Sequence, residues 1–166
     1  MSFSRRTPQM LHEDHQATVI VIEGLDSLLA KSKRAMPNLA DASVQTALKN
    51  ATNAIAEEVS AHFTFEETEL FTRLEDAGDV GIGAHLREEH AAILPLGLQV
   101  ADLARTALET GFTEASWQEF RPRAAELIER MIAHIQKEEM ALLPMLDELL
   151  DPETDMDLST AYANSH

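Results

Sequence analysis

The sequence predicts an all-α protein, an antiparallel up-down bundle of four long helices arranged as two repeated helix pairs. Three observations lead there. Apolar residues recur at intervals of three and four along the 166-residue chain, and no stretch shows clean strand alternation. One motif occurs twice: His62-Phe63-Thr64-Phe65-Glu66-Glu67, trailed by Leu70, Phe71 and Leu74, and His134-Ile135-Gln136-Lys137-Glu138-Glu139, trailed by Leu142, Leu143 and Leu146. Each copy lies behind a lone histidine, His15 or His90, at intervals of 47 and 44 residues (62 minus 15, 134 minus 90).

The first helix is expected to start near Thr7-Pro8, a good cap followed by a proline suited to the first turn, and to run to about Lys33. Its inward face includes Leu11, His15, Val19, Ile22 and Leu29, and Met36-Pro37-Asn38 breaks it. The second begins around Asp41 and continues to about Asp76, carrying Val44, Leu48, Ile55, Val59, His62, Glu66, Leu70 and Leu74 on its inward face. Gly78, Gly81 and Gly83 punctuate the middle of the chain and divide the repeats. The third runs from about Ala84 to Thr110, where Gly111 ends it, and Pro95 and Gly97 inside it predict a kink. The fourth has Ser116 near its cap and runs past Leu143, with Pro122 and Pro144 bending or delimiting it. Residues 1–150 thus make one bundle. After Asp151-Pro152 the chain turns acidic and polar, and residues 151–166 are expected to form a poorly ordered tail.

Composition narrows the function. There is no cysteine, which excludes disulfides, thiolate metal sites and cysteine nucleophiles. A formal charge of −16 argues against nucleic acid, which demands a basic surface, and against anionic membrane surfaces. No uninterrupted apolar run reaches the roughly 18 residues of a membrane span. Met1-Ser2-Phe3-Ser4-Arg5-Arg6 has two arginines without a following apolar stretch, so a secretory signal is not expected and the expected location is cytoplasmic. The acidic surface suits a basic protein partner or solubility alone, and a protein partner or a homodimer is the expected macromolecular association.

A step of four residues turns a helix by about 400° and advances it about 6 Å. His62 and Glu66 therefore share one face, as do His134 and Glu138, and both faces are otherwise apolar. With His15 and His90 at equivalent places on the other helix of each pair, the core would hold four imidazoles and two carboxylates at one level. Burying two carboxylates without a cation is costly, and a dinuclear cation between them removes the difficulty. Imidazole and carboxylate without sulfur suit iron, zinc or manganese, with two bridging carboxylates favouring iron. A single histidine at such a position is ordinarily a satisfied core residue, and a Glu four residues after a His is common in a glutamate-rich chain. Repetition of the whole arrangement overturns that bland reading. Glu67 and Glu139 stand five residues after their histidines, about 100° further round, as solvated helix edge or as rival ligands, Glu139 more so. His12 is placed to support or join the site, His85 to start a helix or face solvent, and His166 has no role in the tail.

This pattern resembles the hemerythrin-like, or HHE cation-binding, family over about residues 7 to 150. The resemblance implies a four-helix bundle of the hemerythrin type with a non-haem di-iron centre. In it His15, His62, His90 and His134 are terminal ligands, and Glu66 and Glu138 bridge the irons beside an oxo, hydroxo or water ligand. Ferritin-like di-iron proteins use Glu-x-x-His and more carboxylates than histidines, the reverse of the order here. The oxygen-carrying members have a further histidine at the position of Leu86, and their last bridging carboxylate falls at Glu139. Four histidines leave both metals less saturated, which shifts the expectation from oxygen storage toward sensing or reactive chemistry.

Two functions follow, and a third stands against them. A binding or sensing module would take up oxygen, nitric oxide or iron without turnover, as a compact domain with every ligand inside the bundle suggests. A di-iron enzyme with oxidase, peroxidase or nitric-oxide-reducing activity would use the open coordination positions. A plain structural bundle would tolerate loss of His62 and His134. The first is favoured, since no acid/base constellation stands outside the ligand set.

Overall fold

The computed structural model describes residues 3–165, without the side chains of residues 57 and 58, and these residues are helical with no strand. Four long helices, α1 (Arg6–Lys31), α2 (42–76), α3 (Gly81–Thr110) and α4 (114–149), are followed by a shorter α5 (Pro152–Asn164). The expected boundaries shift by a few residues for local reasons. Asp41 caps α2 by accepting from the Ser43 N–H at 2.9 Å. Thr113, rather than Ser116, caps α4. The two form a reciprocal box in which Ser116 N–H donates to Thr113 Oγ1 (3.0 Å) and Thr113 N–H to Ser116 Oγ (2.9 Å). Gly111, at φ +81°, ends α3 in a conformation that side chains rarely adopt. α3 continues through Pro95 as one helix.

Two apolar layers hold the bundle. One gathers Ile22, Val59, Phe63, Ile93, Met131 and Ile135, the other Leu11, Leu70, Phe71, Leu86, Leu142 and Leu143. Along α1 and α3 the second layer comes first (Leu11, then His15, then Ile22; Leu86, then His90, then Ile93). Along α2 and α4 the order reverses (Phe63, Glu66, Leu70; Ile135, Glu138, Leu142). The histidines and glutamates thus occupy one polar stratum between two dry ones.

α2 and α4 each depart from α geometry at the same place. π turns span Glu66–Leu70 and Glu138–Leu142, closed by the Phe71 and Leu143 N–H groups on the Glu66 and Glu138 carbonyls five residues back. A further π segment spans Ala54–Val59. Single π turns inside α-helices commonly mark functional positions.

The expected disordered tail is instead α5. Asp151 caps it, accepting from the Thr154 N–H at 2.7 Å, and Pro152 sits in its first turn. Asp155, Leu158, Ser159 and Tyr162 are buried at helical spacing. The acidic residues between them conceal that face. α5 also completes α1: Asp155 accepts from the Arg6 N–H (2.8 Å) and the Thr7 N–H (2.7 Å), so the cap assigned to Thr7 comes from the other end of the chain. α3 is by length and composition long and apolar enough to cross a membrane, although no uninterrupted apolar run is that long. Its apolar residues Leu86, Ile93, Leu96, Val100 and Ala104 lie in the protein core.

Candidate metal centre

The six predicted donors come together in two groups that share members. His15, His62, Glu66 and Glu138 form one, and Glu66, His90, His134 and Glu138 form the other. Within each group the donor atoms lie within 4.8 Å of one another, and all six residues are buried. His15 comes from α1, His62 and Glu66 from α2, His90 from α3, and His134 and Glu138 from α4.

Every histidine turns its Nε2 inward. Glu138 Oε1 lies 2.8 Å from His15 and 3.6 Å from His62, while its Oε2 lies 3.0 Å from His134 and 3.8 Å from His90. Glu66 divides likewise, with Oε2 3.2 Å from His62 and Oε1 3.2 Å from His90. Each carboxylate thus presents one oxygen to each histidine pair. Between the groups, His90 Nε2 and His134 Nε2 approach to 3.1 Å.

Every Nδ1 turns outward to a further carboxylate. His15 Nδ1 is 2.8 Å from Glu139, His134 Nδ1 2.8 Å from Glu89, His62 Nδ1 3.4 Å from Asp14 and His90 Nδ1 3.4 Å from Glu67. Hydrogen bonds of this kind at His15, His62 and His134 fix ring orientation and tautomer and raise the basicity of the inward nitrogen, while Glu67 stands beside His90 as an ionic neighbour only. The sequence reading missed this layer, taking Glu67 and Glu139 for helix edge or rival ligands. The available signal was adjacency: each supporting acid directly precedes or follows a donor.

The layer beyond breaks the repeat. Lys137 donates a short hydrogen bond to Glu89, and the Arg87 guanidinium lies 3.9 Å from Glu67 and 3.3 Å from Glu75. In the other half the residue matching Arg87 is His12, hydrogen-bonded to Glu139 by a short contact. The residue matching Lys137 is Phe65, whose ring packs 4.5 Å from Tyr162 of α5. The Tyr162 hydroxyl donates a short hydrogen bond to Asp14 and lies 3.3 Å from His62 Nδ1. His85 is exposed, with its ring 3.5 Å from Glu89 and 3.2 Å from Lys137. His166 lies outside the described residues.

The electrostatics call for positive charge. Burial opposes protonation of the histidines, yet Glu138 and Glu139 overcome it at His15 and raise its pKa to about 9. At His90 burial is again outweighed, here by Glu138 and Glu66, and the pKa rises to about 9. His62 and His134 are raised against the same opposition. Burial pushes Glu138 up, but the four surrounding histidines hold it well below the ordinary carboxylate range. Without a metal, protons on imidazole supply the countercharge. Even so, His62 Nε2, both Glu66 oxygens, His90 Nδ1 and Glu138 Oε2 are buried without a hydrogen-bond partner. Buried polar atoms are rarely left so, and four of these five face the centre of the two groups. The residues fit a pair of cations with nitrogen and oxygen ligation.

A small cavity of about 20 Å³ reaches the groups between His15, His62, His134 and Glu138. On the opposite side the Phe63 ring stacks on His90 at 3.8 Å and Phe71 lies 5.4 Å from it.

A buried histidine and glutamate cluster that demands cations, set in a helical bundle, defines a cation-binding helical protein. The chain belongs to the hemerythrin family: the sequence profile of the hemerythrin HHE cation binding domain matches residues 7–146. No curated protein matches the chain closely enough to be counted a relative. The matched segment ends before α5, so Tyr162 and Asp155 lie outside it.

Proposed function

We propose that the protein holds a dinuclear non-haem iron centre and uses it to bind or sense oxygen, nitric oxide or iron itself. His15 and His62 would hold one metal and His90 and His134 the other, with Glu66 and Glu138 shared between the two groups. The observation that carries this reading is the division of both buried carboxylates, one oxygen to each histidine pair. The alternating order of the apolar layers along α1 to α4 supports an antiparallel up-down four-helix bundle of the hemerythrin type, with α5 added. When bound, iron supplies redox chemistry and exchangeable ligand positions. The chain's own residues orient His15, His62 and His134 through Glu139, Asp14 and Glu89 and exclude bulk water with the flanking apolar layers. Zinc or manganese satisfies the same donors.

A di-iron enzyme is the second reading, with oxidase, peroxidase or nitric-oxide-reducing activity. It is favoured by the presence of two imidazoles per position, which leaves coordination sites for a reactant. Multiple turnovers with peroxide or nitric oxide would establish it in place of binding.

The deciding experiment is anaerobic loading with ferrous iron followed by metal analysis and an optical spectrum in air. Two irons per chain are expected, with near-ultraviolet bands of a bridged diferric pair. Glu138→Ala removes a donor from both positions and is expected to lose both irons, whereas His134→Ala loses one. Loose iron, unaffected by either change, would return the chain to a structural bundle.

A further inference from the structure

We propose that the protein pairs with a second copy of itself, about a twofold axis, through the outer groove between α1 and α2. The inference does not depend on the metal reading. It names a contact surface on the outside of the helix pair that supplies His15, His62 and Glu66.

The groove runs from Ile20 along α1, past the connecting loop at Met36 and along α2 to Asn50, with a volume of about 680 Å³. Ile20 is 70% exposed and Met36 44%, and Gly24, Ser27, Thr46 and Ala47 form much of the wall. Of the seventeen residues that line it, only Lys31 and Asp41 are charged, in a chain that is 25% charged overall. Gly24 has no reason to be glycine within one copy. It lies inside the helix α1, where glycine costs about 1 kcal/mol relative to alanine, and a Cβ there would meet nothing within 4 Å. The missing side chain leaves a notch one turn from Ile20 on the same exposed face. Small residues let a second helix approach closely, and a twofold axis sets the Ile20 of each copy against the small-residue wall of the other twice over.

Charge selects the occupant. A basic partner would be steered elsewhere, because residues 66–89 and 138–157 hold sixteen of the 29 acidic residues and only two of the 13 basic ones. Residues 24–53, which form most of the groove, hold two acidic and four basic residues, so two copies of a chain of charge −16 repel least across this face. Lys31 and Asp41 give the groove one charge of each sign, and a twofold contact offers each of them an opposite charge from the other copy.

Sedimentation velocity on the full-length chain tests the pairing. A species of about twice 18.4 kDa is expected at micromolar concentration. It should tighten as salt is raised, since screening relieves the repulsion between acidic copies. Ile20→Glu and Thr46→Glu each place a charge in the groove, from exposed positions on different helices, and should weaken pairing by about 100-fold or more. Leu98→Glu adds the same charge at an exposed site on α3 outside the groove and should leave pairing unchanged. A monomer at submillimolar concentration would overturn the proposal and leave the groove to a different chain. So would a dimer that survives both groove substitutions, or one that Leu98→Glu disrupts equally. Circular dichroism checks the fold of each variant, and should one groove variant fail to fold, the other carries the test.

Discussion

Replacing Asp155 tests whether α5 is an integral part of the fold. Its carboxylate accepts from the Arg6 N–H at 2.8 Å and the Thr7 N–H at 2.7 Å, two donors in the first turn of α1 that have no partner within their own helix. Thr7 is 1% exposed, so Asp155→Ala leaves its N–H without water or protein, whereas the exposed Arg6 N–H can turn to solvent. An abandoned buried donor costs about 1–3 kcal/mol and a lost cap about 1 kcal/mol, so the loss should be about 2–4 kcal/mol. For a domain of this size that lowers Tm by roughly 4–16 °C, at about 2–4 °C per kcal/mol. Asp155→Asn keeps one acceptor oxygen and should lose about half as much.

Burial raises the Asp155 pKa, but the Thr7 and Arg6 N–H groups outweigh it and hold the carboxyl below its ordinary value. A lowered folded pKa gives stability that is present above the unfolded value, near 3.9, and is lost as pH falls through the folded one. The gap between Asp155→Asn and the parent protein should therefore narrow in acid. Urea unfolding followed by circular dichroism, on chelator-treated protein to remove metal linkage, measures both effects. A change within about 0.5 kcal/mol for Asp155→Ala, the range of ordinary surface substitutions, would refute the reasoning. So would a gap independent of pH.

Two further outcomes concern the centre. Because protons on His15 and His90 persist to about pH 9 without metal, cations must displace them, and zinc affinity should rise with pH from about 6 toward 9. By the same sign, the stability those protons give the metal-free fold is present below about 6.5 and lost as pH rises through about 9. Calorimetric titration in buffers of different ionisation enthalpy would expose the released protons, and a pH-independent affinity would contradict this. Tyr162→Phe removes the hydroxyl that holds Asp14 against His62 and should weaken metal retention about 10- to 100-fold in competition with a chelator. Unchanged retention would leave α5 a purely structural element.

The helices and the stratum of donors were legible because both rest on one periodicity. His62 and Glu66, or His134 and Glu138, meet at four residues within one helix, and the 47- and 44-residue intervals bring His15 and His90 to the same level. What crosses between helices was not legible. Glu139 reaches His15 on α1, and Glu67 reaches His90 on α3, contacts that no spacing within one helix encodes. The π turns were hidden for a related reason, although Leu70-Phe71 and Leu142-Leu143, four and five residues after each glutamate, are buried pairs that a regular turn would splay apart. α5 was lost to composition, its buried Leu158 and Tyr162 masked by the acidic residues between them.

The shared carboxylates have a consequence for how such a centre can arise. Each half of the chain owns two imidazoles and one carboxylate of a single group, and lends that carboxylate across to the other. One helix pair therefore carries half of everything, and two identical copies about a twofold axis would furnish all six donors. Identical copies would also be condemned to identical surroundings. Two halves within one polypeptide are free of that constraint, and the difference is visible one layer out, where Lys137 on Glu89 stands at the place of Phe65 on Tyr162, and Arg87 at the place of His12. The inward-facing residues repeat between the two halves, and their neighbours do not.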